Sequence, residues 1–285
     1  MNDNLGIFTG VEWDEYLKID ALNGSSIVNM RRSPMYYRFC LDNPQPSTPA
    51  QNLGTWTHRL ILEPHRVGDF AVWGTLEEEK VRRGKVWDSF CELNAGATII
   101  TVDERDAMVG MAVAARKNPP VDKYAKMDGD TEVTMVWRDV GTGRLMKGRM
   151  DKVIPTRSII LDLKTTRDCH SYRFGAQAYA LGYHIKAALY ISGYQVITGT
   201  RPKFKWMAIE SKAPHEAAVY RATPDVLTQG NIDLDELVRR IGECEATGYW
   251  PPDMEEEEDL ILPTYAFSEA DSMQEFAEEG VEDGK

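Results

Sequence analysis

The spacing of apolar residues along the chain changes near position 131, and the elements it predicts change with it. Before that point the pattern is helical. It runs over 13–43, where Asn23-Gly24-Ser25-Ser26 offers a capped start to IVNMRRSP and Pro34 opens a further segment, MYYRFCL. A connector rich in Pro, Ser and Thr (43–51) precedes a second helix in GTWTHRLILEP. Residues 77–118 read as largely helical, most clearly in ERDAMVGMAVAARK (104–117). From 131 onward, TEVTMVW, RLMKGRMDKVI and SIILDLKT are short β-branched or apolar runs separated by turn chemistry, the pattern of an antiparallel meander. SYRFGAQAYALGYHIKAALYISGY (171–194) reads as one long helix, FKWMAIES and AAVYRAT as strands, and about 222–247 as a last helix. The sequence carries no internal repeat.

Composition adds bounds. A chain of 285 residues with 42% hydrophobic and 9% aromatic content can bury a substantial core, in one domain with appendages or at most two small domains. No run approaches the length of a membrane span, and the acidic N-terminus MNDNLGIFTGVEWDEY lacks the basic and apolar regions of a signal peptide, so a cytoplasmic protein with no membrane partner is expected. Cysteines at 40, 91, 169 and 244 form no CxxC pair, which predicts reduced thiols and neither a zinc ribbon nor a disulfide framework. The net charge of −12 is a property of the C-terminus: 253–285 hold 13 acidic residues and Lys285, leaving 32 acidic and 32 basic residues in 1–252. The division expected is therefore a domain over 1–252 and an acidic, largely disordered tail over 253–285. A neutral body can still carry a basic groove, because binding follows local potential.

The chemistry concentrates in GRMDKVIPTRSIILDLKTT (148–166). If MDKVI and SIILD are hairpin partners joined by 155–158, pairing Ile154 with Ile159 sets Asp151 opposite Asp162, and Lys164, two residues on, shares that face. Directly opposed residues have Cβ atoms about 4.5–5.5 Å apart, so the carboxylates repel unless a positive charge lies between them. A divalent cation suits the place, because Mg²⁺ takes hard oxygen ligands, lowers the pKa of a bound water and stabilises charge on a phosphate. Lys164 could orient that water or neutralise the developing charge. The same pattern also suits a hairpin with exposed charges and a surface Lys–Asp pair. Asp162 argues against that, because it interrupts the apolar run Ile159-Ile160-Leu161, where a charge is costly.

Six motifs stand in order along 13–252: GTWTHRLILEP, the Glu of TEVTMVW, GRMDKV, LDLKTT, GYHIKAALY and a closing GYWP. In this order they resemble the phage and prophage exonucleases of the exodeoxyribonuclease VIII (RecE) type, within the RecB-like PD-(D/E)xK nuclease superfamily. The resemblance implies an α/β fold of the restriction-endonuclease-like kind: a mixed central sheet flanked by helices, with a helical N-terminal region. It implies that Asp151 and Asp162 bind Mg²⁺, for which Mn²⁺ substitutes, with the Leu163 carbonyl as a further ligand. Lys164 becomes the catalytic lysine, and His58 and Glu132 complete the metal site or its surroundings. Tyr190 corresponds to the tyrosine of the family's Gln-x-x-x-Tyr helix motif. The family's glutamine falls on Lys186, a departure; Gln177 stands nine residues too early to replace it. By resemblance the reaction is digestion of one strand of linear double-stranded DNA from its end, 5′ to 3′, by a homo-oligomer that supplies a RecT-like single-strand annealing protein in phage-type recombination inside a bacterial host. An endonuclease, a single-strand nuclease, or an end-binding scaffold with impaired catalysis are the alternatives. The cysteines lack the clustered spacing of the iron–sulfur cluster that some superfamily members carry, so none is expected. Lys80, Arg82, Arg83 and Lys85, beside Trp87, and the pair Arg31 and Arg32 are the candidate phosphate contacts. The apolar island Leu260–Phe267 within the acidic tail is expected to dock, on the DNA groove or on a partner.

Overall fold

Caps in the sequence decide where most helices start. The computed structural model describes residues 5–44, 46–65, 70–75, 81–257 and 259–261. The chain opens with β1 (Gly6–Phe8), α1 (Trp13–Lys18) and β2 (Leu22–Asn23). Asn23 then accepts from the Ser25 and Ser26 amides to start α2 (Gly24–Asn29), and Ser33 caps α3 (Pro34–Asp42), with Pro34 at its first position. A reciprocal Thr48/Gln51 capping box starts α4 (Pro49–Leu62). The helix therefore begins inside the segment expected to be connector. After β3 (Phe70–Trp73) and α5 (Lys85–Leu93), the stretch expected to be largely helical contains a strand, β4 (Thr98–Thr101), paired in parallel with β3. A second capping box, Thr101/Glu104, then starts α6 (Val102–Lys117), and α7 (Pro119–Lys126) follows.

The meander is present as β5 (Asp130–Arg138), β6 (Leu145–Ile154) and β7 (Ile159–Thr166). Beyond it lie α8 (Ser171–Ala180), α9 (Tyr183–Thr198), β8 (Lys203–Glu210), β9 (Ala217–Arg221) and α10 (Pro224–Thr247). The single helix expected over 171–194 is thus two. Gly182 separates them at φ +66°, and a Cβ there would come within 2.6 Å of Val28 on α2, so both backbone and neighbour call for glycine.

Among the described residues the central sheet runs β1-β5-β6-β7-β8-β9, with β2 added beside β6. It is mixed: β7 and β8 are parallel, and the other main neighbours antiparallel. One core lies under α2, α9 and α10 and includes Ile27, Met135, Trp137, Leu189 and Ile241. The other lies under α4, α6 and α7, with Ile61, Met111, Leu161, Leu163 and Ile209.

The strands change phase between these cores. On β6, Met146 and Met150 pack beneath α9, yet so does Val153, while Lys152 donates to the Ala125 carbonyl at the end of α7 at 2.7 Å. On β5, Val133, Met135 and Trp137 face α9, but Thr131 donates to Glu63 at the end of α4. The switch falls on Glu132, whose φ is 52°, and on Asp151. A left-handed conformation costs a residue with a side chain about 1–3 kcal/mol, and such strain collects at working sites.

Candidate active site

The hairpin of β6 and β7, turned by 155–157, pairs Ile154 with Ile159, Val153 with Ile160 and Lys152 with Leu161. This is the register expected from the loop length. The next pair would be Asp151 with Asp162, and there the ladder stops. The Leu163 amide instead donates to Asp151 Oδ2 at 2.7 Å, while the other edge of β7 stays paired to β8 as far as Thr166. Asp162 is 7% exposed and meets Lys164 Nζ at 2.5 Å. Lys164 also lies 5.2 Å from the centre of the Tyr183 ring. From α4, His58 Nδ1 stands 3.4 Å from Asp151 Oδ2. From α9 come Lys186 and Tyr190, one turn apart. The Tyr190 ring lies against Gly148, where any Cβ would come within 2.6 Å of it. One strand outward, Glu132 pairs with Arg149 Nε at 2.7 Å.

Burial, reinforced by Asp162, pushes the Asp151 carboxyl up to about 7, against the pull of Lys164 and the Leu163 amide. Burial and Lys164 push His58 down to about 4, which leaves a neutral imidazole at neutral pH. Burial, with Lys164 acting in the same direction, lowers Lys186 to about 8 although both aspartates oppose it. On Lys164 burial acts downward, but Asp162 and Asp151 outweigh it and raise the ammonium. Burial and Asp151 raise Glu132, with Arg149 opposing. Burial, then Tyr16 and the two aspartates, carry the Tyr190 hydroxyl well above its ordinary range.

Two buried carboxylates thus share the centre with two lysines, and burial, followed by Asp162, makes Asp151 hard to ionise without a further partner. Two carboxylates, the Leu163 carbonyl and a neutral imidazole form a donor set that a hard divalent cation fits. Among the described residues a tighter group of ligand atoms, all within 4.8 Å of one another, lies elsewhere, in Cys169, Glu210 and Glu216. Glu210 there accepts from the Cys169 amide at 2.9 Å, and burial followed by Glu210 pushes the thiol up to about 11.

A pH prediction follows from Asp151. Its folded pKa lies above its unfolded value, so its contribution to stability is complete below about pH 4 and is lost as pH rises towards 7. His58 acts oppositely, losing stability as pH falls from its unfolded value of about 6.5 to 4. The test is thus a difference curve. In metal-free buffer, Asp151→Asn should match the wild type in melting temperature near pH 4 and exceed it increasingly up to pH 7. A constant difference across this range refutes the assignment.

The cationic candidates lie outside this centre. Arg31 donates to the carbonyls of Tyr179 and Ala180 and covers the Tyr179 ring, and Arg32 covers Tyr36. Arg82 pairs with Glu104 at 3.3 Å and lies over Trp87. Arg83 and Lys85 are exposed, and Lys80 lies outside the described residues. Sequence reasoning missed Arg149, Tyr183 and Gln177 as neighbours of the site: Gln177 bonds Thr166 Oγ1 at 2.8 Å and lies 3.4 Å from the Tyr183 hydroxyl. The periodicity of α8 and α9 carries no signal for a contact that depends on the turn at Gly182.

A mixed sheet that opens at an Asp…Asp-x-Lys hairpin, with helices on both faces, defines the PD-(D/E)xK fold class. The chain belongs to the family described as "PDDEXK-like domain of unknown function (DUF3799)", whose profile matches residues 25–261. Its fold is similar to the crystal structure of a "putative exonuclease" from Eubacterium rectale, with a TM-score of 0.61 at 14% identity, covering 92% of this chain and 98% of that one. The crystal structure of SSO0001 aligns with a TM-score of only 0.36 at 13% identity, over 85% of this chain and 84% of that one. No curated protein matches the chain.

Proposed function

We propose that the protein is a Mg²⁺-dependent DNA exonuclease of the RecE-like kind. The observation that carries this reading is the buried pair Asp151 and Asp162, beside Lys164, where the hairpin ladder opens. The description of the Eubacterium rectale protein as an exonuclease agrees with it. Asp151, Asp162 and the Leu163 carbonyl would hold the metal, with neutral His58 beside them and Glu132 paired with Arg149. When bound, the divalent cation supplies an acidified water and charge stabilisation at the scissile phosphate. Lys164, fixed by Asp162 and the Tyr183 ring, holds a proton and a positive charge where the attacking water and the phosphate meet. Lys186 adds a second cation on the α9 side, close enough to the aspartates to contact a phosphate. Residues 1–252 form the nuclease domain, and 253–285 an acidic appendage. The single strand produced passes to a RecT-like annealing partner, and the enzyme works as a homo-oligomer in the bacterial cytoplasm.

End-labelled linear duplex and covalently closed circular duplex, each with and without Mg²⁺, test the reading. Linear DNA should disappear only with Mg²⁺ and closed circles should persist, because an enzyme that engages ends finds none on a circle. Comparable cutting of circles makes the protein an endonuclease. Binding of ends without hydrolysis makes it a scaffold.

A further inference from the structure

Helix α9 turns one stripe towards the two aspartates. Tyr183, Lys186 and Tyr190 stand at i, i+3 and i+7, spacings that share one face of a helix. Lys186 brings its charge to bear on Asp151 and Asp162, and Tyr190 lies against Gly148. Tyr183, the first residue of α9, completes the stripe. Lys164 Nζ lies over its ring, 5.2 Å from the centre, within the reach of a cation–π contact. Tyr183 is 8% exposed, and such a contact is strongest where water is excluded.

The surrounding elements fix the ring in this place. Gly182, at φ +66°, ends the run of α8 and lets a new helix start at Tyr183. Phe174 of α8 lies 6.2 Å from the Tyr183 ring. Gln177, also of α8, accepts from Thr166 Oγ1 at 2.8 Å and reaches the Tyr183 hydroxyl with Nε2 at 3.4 Å. Strand β7 thus carries Lys164 and, two residues on, the first link of the brace that ends at the ring.

This ring differs in kind from the other neighbours of Lys164. The ammonium meets Asp162 at 2.5 Å and the Leu163 carbonyl at 3.4 Å. Both are oxygens of the donor set that fits a divalent cation, so a cation there draws on the same atoms. Lys186 carries a like charge nearby and repels the ammonium. An aromatic face attracts an ammonium without being a hard oxygen ligand. We propose that Tyr183 is the positioning residue for Lys164, its ring face keeping the ammonium in place when a cation engages the oxygens. The reaction it serves rests on the nuclease reading; the contact itself does not.

The test uses the full chain with isotope-labelled lysine. The Lys164 ε-methylene signal, assigned by its absence in Lys164→Met, should be shifted to low frequency by the ring current. That shift should persist when Mg²⁺ is added without DNA, and vanish in Tyr183→Leu. In single-turnover digestion of linear duplex with Mg²⁺, Tyr183→Leu should be slowed about tenfold, with DNA affinity in metal-free buffer within about twofold of wild type. Tyr183→Phe, which keeps the ring face, should recover the rate to within about threefold of wild type. A Lys164 signal that loses its shift on addition of Mg²⁺ overturns the proposal. So does a leucine variant that cuts at the wild-type rate, or a phenylalanine variant as slow as the leucine one. The wild-type spectrum decides alone where the leucine variant does not fold or the wild type hydrolyses no DNA. In the latter case the nuclease reading fails, and the anchoring of Lys164 is judged without it.

Discussion

Replacing Asp162 with alanine is expected to lower Mg²⁺-dependent hydrolysis of linear duplex DNA at least a hundredfold, with DNA binding retained. The donor set that receives the cation loses one of two carboxylates, and the several kcal/mol asked of a catalytic metal correspond to two or more powers of ten at about 1.4 kcal/mol each. Asp151→Ala should lose activity alike. The sequence suggests that either change relieves repulsion and stabilises the metal-free protein, but the structure separates the two. Asp151 carries the raised pKa, so its removal relieves unfavourable charge. Asp162 is the 2.5 Å partner of Lys164, so its removal leaves that ammonium without its nearest counter-charge. Turnover above about a hundredth of wild type in either variant, measured with Mg²⁺ in excess, disproves the metal assignment.

Lys164→Met should be the second large loss, again about a hundredfold or more in single-turnover rate, the scale found when one preorganised stabilising group is removed. It carries a signature that a merely structural lysine lacks. The ammonium pairs with Asp162 and feels the charge of Asp151, and so competes with a cation for them, so the variant should bind Mg²⁺ more tightly in calorimetry even as it fails to cut. Without metal it should lose stability, on the order of 3 kcal/mol, because Asp162 is left buried and unpaired. Added Mg²⁺ should restore most of that loss. Weaker Mg²⁺ binding by Lys164→Met would show that the lysine organises the carboxylates instead of opposing the cation.

The parts legible in sequence are those set by short-range rules. The four-residue connection between β6 and β7 and the alternation on either side of it give the Ile154–Ile159 register, and with it the neighbourhood of Asp151, Asp162 and Lys164. The Asn23 cap and the helix start at Pro34 read equally well. What escapes reading depends on distant neighbours. The Thr98–Thr101 strand is four residues long, and among the described residues it pairs only with β3, which lies 28 residues earlier in the chain. Gly182 breaks a continuous helical pattern because α2 brings Val28 against it. Glu132 has the sequence signature of an ordinary strand residue, and its left-handed backbone follows from a change of phase shared by two strands. Lys186 departs from the family's motif, yet it keeps the helical spacing to Tyr190 and brings its charge to bear on both aspartates.

The open end of the hairpin ladder has a spectroscopic consequence. The Leu163 amide, in the interior of a buried strand, is tied to the Asp151 side chain instead of to a backbone carbonyl. Its proton resonance therefore follows the charge on one carboxylate, moving as Asp151 is protonated and again as the carboxylate turns to another partner. A single backbone signal, resolvable in an ordinary amide correlation spectrum, reports the ionisation state of this centre while the protein is at work, with no label attached to the residues that do it.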